Sequence, residues 1–585
     1  MQRPGFRHVA ALVALVFLAH FYLCGSFGLY EDDYQMIAPS LGEPLGRAMR
    51  NALSDFNLRQ WPTGRPLNHA LPALLSAFGY KLGGLRGVYL LASMVGAVNA
   101  VLVYSVARRL FGATAGLVAG VFFVLNPADT THQFLTHCGH IQTSVTFFLI
   151  GAGLLMSEHR RLHVLAYLVA FLSLLSYEAV YLLFILYPLA LARPTRGFAL
   201  RLGKHSAACA VSMFAIAAVR YLQGESRVEG VVGSPAHTAY IILAAPWYGF
   251  TTSASAFGKF LPHAIADLNP AAAAMGGAIA LMLALALWPA RPWPAGDADG
   301  EPAARHFFLT PSGPTFLGFA LVFIGMWLFS YCFTFTHFPP TAQSGRMTST
   351  HTASIFPAAM VAGLLGREIL AWSARRRGWT TVGLVALVVY CGMLGAYAFE
   401  IQQGYAAAWA AEKNFWQQFF ALCPESQRGV TVVVDGDFPE PSRYIESFNE
   451  EVVRIPNIIF NDQSGTAPRL PAAPARKWKA PARPPPQPPF EFVITGDPDY
   501  FIFTLQRHNS ALVYRMRYAA QDSPWYTIDE SNLICLEYWN GRLERVPQLS
   551  VPGLAEPLRT QVSLAPNPAA QQKAQQHALY RILTQ

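Results

Sequence analysis

Residues 8–37 read HVAALVALVFLAHFYLCGSFGLYEDDYQMI, a largely apolar run that closes on three adjacent acids, Glu31, Asp32 and Asp33. Crossing the hydrocarbon core of a bilayer takes roughly 20 mostly apolar residues, and 8–29 supplies that length. The run is too long for the core of a signal peptide, and no small-x-small cleavage site follows it, so it reads as a retained anchor. The acids behind it need a different explanation. Three neighbouring carboxylates repel one another and contribute little to folding. Placed beside lipid, they are desolvated and raise one another's pKa, which suits a general base or a metal ligand.

The apolar signature recurs at 86–106, 114–126, 141–156, 163–177, 179–192, 205–222, 271–289, 315–333, 352–371 and 379–399, then stops near Glu400. The chain has 585 residues, of which 53% are hydrophobic and 13% charged. This composition and periodicity predict an α-helical polytopic membrane bundle of about 11 transmembrane helices over residues 1–400, followed by a soluble mixed α/β domain at 401–585.

Lys and Arg are retained on the cytoplasmic side. With the N-terminus inside, the loops ARRLFG (107–112), SEHRRLH (157–163), ARPTRGFALRLGK (192–204) and SARRRGW (373–379) all fall inside. Arg47, Arg50, Arg59, Arg65, Lys81 and Arg86 dissent from the long first outer loop. Counting 67–82 as a span would invert everything after it, so that stretch is expected to be a buried or interfacial helix. Residues 223–270 read as a second long outer loop. With an odd number of spans the C-terminal domain is extracytoplasmic. The net charge of +9 is spread over loops that flank spans, which excludes nucleic acid as the partner it implies. The seven cysteines form no disulfide-rich pattern, and spacing leaves open whether Cys423 and Cys535 are bridged.

The C-terminal part begins with a predicted amphipathic helix, YAAAWAAEKNFWQQFFALCPE (405–425), and then GVTVVVDGD (429–437), a buried strand ending in a turn. A Pro-rich stretch at 467–492 reads as a loop or linker. FEFVITG (490–496), DYFIFTLQ (499–506), ALVYRMRY (511–518) and GRLERVP (541–547) read as strands. No Gly-rich phosphate fingerprint follows any of them, so a nucleotide-binding fold is not indicated.

Further chemistry-bearing residues lie at the ends of spans. WPTGRPLNHAL (61–71) carries Arg65 and His69, and NPADTTHQFLTHCGH (126–140) carries Asp129, His132, His137 and His140. The i, i+3 spacing of the last four would put them in pairs on a helical face, where a divalent metal could be held. Glu178, in LLSYEAVYLL (174–183), is an ionisable residue between two apolar runs. It is either functional or the partner of an arginine that locks helices together. FTHFPPTAQSGRMTSTH (335–351) supplies Arg346 and His351 ahead of a span. An arginine there makes planar contacts suited to phosphate, or anchors a lipid headgroup.

An N-terminal span followed by an acidic pair, the GRPL element (64–67), the NP…H loop at 126–140 and SYE (176–178) together resemble the polytopic GT-C glycosyltransferases, with the bacterial, protein O-mannosyltransferase-like members most similar. The likeness covers roughly residues 1–400. It implies inverting transfer of a sugar from a polyprenyl phosphate or pyrophosphate carrier to a glycan, lipid or protein acceptor at the outer face of the membrane. Asp32 or Asp33 would deprotonate the acceptor hydroxyl. Arg65 and Arg346, with His351 beside them, would meet the donor phosphate. Glu31, His69 and Glu178 would be further site residues, and a divalent cation, Mg or Mn, could be held by the acids with help from Asp129, His132, His137 and His140. The sequence departs from the family in that NPADTTHQ lacks an acid nearer the span. A transporter or flippase, or a noncatalytic scaffold displaying the C-terminal domain, are the other readings. The Ala-, Arg- and Pro-rich composition suggests the inner membrane of a high-GC bacterium.

Overall fold

The computed structural model describes residues 4–50, 65–191, 197–222, 234–287, 313–332, 341–374, 379–438, 440–445, 454–461, 491–495, 501–508, 511–518, 521–522, 526–551 and 554–585. The Pro-rich stretch, up to residue 490, and the 375–377 arginines therefore lie outside the described residues. The chain forms two compact units. One comprises Met1–Gly25, Met49–Leu75 and Arg86–Gln403; the other comprises Ser26–Ala48, Ser76–Leu85 and Gly404–Gln585. The acid-bearing loop, assigned from sequence to the helical domain, thus belongs with the C-terminal unit.

The first unit is helical. Its elements are α1 (Pro4–Val16, continued by a π-helical turn at Phe17–Phe21), α2 (Leu67–Phe111), α3 (Ala113–Val124), α4 (Leu135–Leu155), α5 (Arg160–Ser176), α6 (Glu178–Leu191), α7 (Phe198–Leu222), α8 (Ala245–Ala266), α9 (Pro270–Leu287), α10 (Gly313–Phe329), α11 (Thr352–Ala374) and the first part of α12 (Trp379–Leu422). Among the described residues, seven helices are long and apolar enough to cross a membrane: Gly5–Ser26, α2, α4, α7, α9, Arg346–Trp372 and Thr381–Leu422. Three more, α3, α6 and Phe316–Phe329, are apolar but shorter. Segments such as the 12-residue α3 rise only about 18 Å at 1.5 Å per residue, well short of a hydrocarbon core of roughly 30 Å.

Helix α2 is two helices joined at Gly83 and Gly84, whose backbones leave the helical region. Gly84 has φ +63°, which only glycine adopts without strain. The separate 67–82 helix expected from charge therefore exists, and a glycine pair ends it. Residues 235–266, expected to be loop, are instead helical, a short turn and a π-turn running into α8. Lys259, His263 and its Ser and Thr residues kept this stretch from reading as a span. Its apolar side packs Ala245, Phe250, Ala254 and Phe257 against Trp327, Tyr331 and Ala358.

Close helix contacts are made at small residues, as expected where packing rather than water exclusion joins helices. A Cβ at Gly276 of α9 would come within 2.6 Å of the Gly392 carbonyl oxygen of α12, and one at Gly363 of α11 within 2.7 Å of the Ala115 carbonyl oxygen of α3. Leu90, Met94 and Val98 on α2, Val164, Leu168 and Leu172 on α5, and Val382, Val385 and Val389 on α12 form exposed stripes at helical spacing. Such apolar faces are costly in water and suited to lipid.

In the second unit, β1 (Thr431–Gly436) pairs in parallel with β2 (Glu491–Thr495) on one side. On its other side it pairs in parallel with β5 (Asn532–Trp539). A fully buried run such as TVVV is what a central parallel strand requires. Antiparallel β6 (Arg542–Val546) and β7 (Gln561–Val562) border the far edge of β5. A second sheet is built on the hairpin of β3 (Phe501–His508) and β4 (Ala511–Tyr518). Val433, Val493, Leu505, Leu512, Leu533 and Cys535 share one core between the two sheets. The central strand β5 is absent from the strands expected from sequence. The predicted 405–425 amphipathic helix is the uninterrupted continuation of the last span in α12. Helices α13 (Pro568–Gln576) and α14 (Ala578–Thr584) end the chain. Cys423 and Cys535 are separate buried thiols, not a bridge.

Candidate functional site

In the first unit, ionisable side chains gather where helices begin or end. Glu178 opens α6, and its carboxylate accepts from Arg65 Nε at 2.5 Å, from Arg65 Nη2, and from Arg220 Nη1 at 3.0 Å. Arg65 also lies over the Tyr177 ring, 5.0 Å from its centroid. Glu178 therefore pairs arginines from the start of α2 and the end of α7, which is the helix-locking alternative left open by the sequence. Arg65 is correspondingly engaged in a bidentate contact, and this revises its reading as a side chain aimed only at phosphate. The cluster extends further: His140 feels the charges of Arg65, His69 and Arg346, and His137 those of His140 and Arg346. Arg346 is half-buried at the start of the 3₁₀ turn Arg346–His351, entered through Gly345 at φ +77°.

The 126–140 loop does not form the expected metal set. Asp129 Oδ1 accepts from the Thr131 amide at 2.9 Å and hydroxyl at 2.6 Å, and Oδ2 accepts from the Thr352 hydroxyl at 2.6 Å. Its carboxylate is thus used as a local turn that ties the loop to α11. His132 packs instead on His20, with ring centroids 4.2 Å apart, and His137 meets His140 edge-on at 5.8 Å. Among the described residues no three His, Cys, Asp or Glu side chains converge as metal ligands. The buried His137 Nδ1 and both amide atoms of buried Gln133 lack a hydrogen-bond partner.

His351 also departs from its expected role at the donor phosphate. It is fully buried, with Nδ1 at 2.7 Å from the Tyr331 hydroxyl and Nε2 at 2.9 Å from the Ala342 carbonyl. With both nitrogens engaged, it fixes the loop that carries Arg346.

The Nε2 of His132 is sealed from solvent, and burial lowers the pKa of this ring to about 4. The unfolded chain, with an ordinary histidine pKa near 6.5, binds more protons than the folded chain between about pH 6.5 and 4. Stability is therefore lost as pH falls through that window. In His132→Asn the decline of the thermal midpoint from pH 7 to pH 4.5 is expected to be shallower than in wild type. Equal slopes in purified protein would show that His132 does not set it.

In the second unit, the acid turn is dissimilar at its three positions. Glu31 is 2% exposed and has φ +44°, a strained conformation for a residue with a Cβ. Asp33 is 0% exposed and accepts from the Tyr30 amide at 3.2 Å. Asp32, between them, is partly exposed. Tyr30 and Tyr34 hold their hydroxyl protons well above the usual phenol range, because both are buried and the Glu412 and Asp33 carboxylates lie nearby. Glu412, in α12, also interacts with Glu31, Asp33 and Glu440.

Arg220 and Glu412 were not found from sequence. Arg220, a lone cation near the end of an apolar helix, carried the usual signal of an intramembrane charge. Glu412 carried none, since an acid in an amphipathic helix ordinarily faces water.

No family model matches the chain, and no curated protein matches it. Among solved structures it is similar to ArnT from Cupriavidus metallidurans bound to undecaprenyl phosphate, at 16% identity and a TM-score of 0.33, over 74% of this chain and 83% of that one. The apo state of the same protein gives 18% identity and a TM-score of 0.29 over the same shares.

Proposed function

We propose that the chain is an inverting GT-C-type glycosyltransferase that moves a sugar from a polyprenyl-phosphate carrier to an acceptor at the outer face of a bacterial inner membrane. The arginine cluster of the helical unit carries this reading. Arg65 and Arg220 share the single carboxylate of Glu178, and Arg65 and Arg346 both act on His140, so three arginines are linked through common neighbours at helix ends. Guanidinium groups gathered at helix ends offer planar, bidentate donors suited to an anion. A phosphate at the head of a lipid is an anion that reaches the end of a membrane helix.

Arg346 makes the phosphate contact and stabilises the charge that grows on the leaving oxygen. Glu178 keeps Arg65 oriented beside it. Asp32 is the base, because its carboxylate is partly exposed while Asp33 is enclosed. It takes the proton of the acceptor hydroxyl as that oxygen attacks the anomeric carbon and the carrier phosphate departs with its bonding pair. A lipid-borne donor fits a chain without a nucleotide-binding fingerprint.

The test is mass spectrometry of surface glycans and polyprenyl-linked sugars in a deletion strain, together with the lipids that co-purify with the protein in nanodiscs. Wild type is expected to restore a missing sugar and to enrich polyprenyl phosphates over bulk membrane. Arg346→Ala is expected to lower that enrichment by about tenfold or more, in line with the 1.5–3 kcal/mol of a hydrogen bond to a charged group. Unchanged glycans in the deletion strain would refute the transferase reading.

A further inference from the structure

Within the second unit, the acid turn lies along one face of helix α12. Gly28 is so close to Trp409 that a Cβ would stand 1.9 Å from its ring. The Tyr30 hydroxyl donates to the Tyr405 carbonyl at 2.8 Å, and the Tyr34 hydroxyl donates to Glu412 Oε2 at 2.7 Å. Positions 405, 409 and 412 follow one another at i, i+4 and i+7, a single stripe of the helix. Residues 28, 30 and 34 are therefore held at three successive points, and the strained Glu31 and the partly exposed Asp32 lie between the second and third.

Docking of this kind has a consequence for Asp32. A left-handed residue at 31 persists only where its surroundings over-determine it, and the contacts on either side supply that constraint. Glu412 is 1% exposed among other carboxylates, an expensive location for an acid with no task. We infer that Glu412 is a positioning residue which, by accepting the Tyr34 hydrogen bond, holds the acid turn in the geometry that presents Asp32 to the acceptor.

The inference rests on the transferase reading for its activity arm and stands on its own for its geometric arm. Three full-length variants separate the possibilities. Tyr34→Phe removes the donor, Glu412→Leu removes the acceptor, and Glu412→Gln keeps an acceptor oxygen without the charge. Each is followed by hydrogen exchange of the peptide covering 27–37 and by formation, in membranes, of the product that the deletion strain lacks, at matched protein level. Tyr34→Phe and Glu412→Leu are expected to exchange at least tenfold faster in that peptide and to lose at least tenfold in product rate, with little change of thermal midpoint. Glu412→Gln is expected to stay within about threefold of wild type in both.

Unchanged exchange in Tyr34→Phe and Glu412→Leu would overturn the docking. Faster exchange with an unchanged product rate would overturn the positioning role. A Glu412→Gln variant as impaired as Glu412→Leu would overturn the hydrogen bond as the cause. If the deletion strain lacks no product, the transferase reading fails, while the exchange arm still decides whether Glu412 holds the turn.

Discussion

Asp32→Asn is expected to reduce sugar transfer by about two to four orders of magnitude, the usual contribution of a positioned general base, while leaving protein abundance and carrier binding at wild-type levels. Asparagine has nearly the shape of aspartate and cannot take a proton. The side chain is partly exposed, so the substitution falls outside the closed core of the turn. Asp33→Asn is a different experiment. Asp33 is enclosed, and its Oδ2 accepts the Tyr30 amide. An amide there can keep that contact only by presenting its oxygen, and activity is expected to fall less, with some loss of thermal stability. Product mass spectra from membranes of the two complemented strains, at matched protein level, distinguish the cases. Full activity in Asp32→Asn would remove it as the base.

Glu178→Ala is expected to have the largest effect on stability. It leaves Arg65 and Arg220 facing each other across the position of the lost carboxylate, with side chains only 17% and 10% exposed. Breaking a buried pair by removing one partner costs roughly 3–5 kcal/mol, a sizeable share of the 5–15 kcal/mol that holds a typical domain folded. The variant is expected to express poorly or to melt well below wild type in detergent. Replacing Arg65, Glu178 and Arg220 together by leucine removes the unpaired charges and is expected to recover most of that stability, as apolar replacement of buried ion pairs often does. It is not expected to recover carrier enrichment, because two of the three arginines are gone. A Glu178→Ala protein that melts like wild type would mean that water already solvates these groups.

How much of this was legible beforehand depended on the distance over which each signal acts. The spans, the separate 67–82 helix and most strands of the C-terminal unit follow from local patterns, because hydrocarbon thickness and strand pleat impose periods that any short window displays. The residues that gather in the helical unit were also visible one at a time: Arg65, His69, His137, His140, Glu178 and Arg346 all stood out as ionisable groups at the ends of apolar runs. Their partners were not. Asp129 and His351 have the chemistry of ligands, yet Thr131 and Thr352 occupy the first, and Tyr331 and Ala342 the second. Residues 235–266 looked like loop because a helix packed on Trp327 and Tyr331 needs only one apolar side.

By itself the sequence determined where apolar segments begin and end, that a mixed α/β unit follows them, and which side chains could ionise near a membrane surface. Only the tertiary structure decided that Glu178 is shared by two arginines, that Asp129 and His351 are consumed in internal hydrogen bonds, and that the acid turn belongs with Gly404–Gln585 and rests on Tyr405, Trp409 and Glu412. The physical reason is range. Hydrophobic periodicity is written into neighbouring residues, whereas a carboxylate's role depends on which donors fold back to it, and here the acid turn's donor and acceptor, Tyr34 and Glu412, lie 378 positions apart.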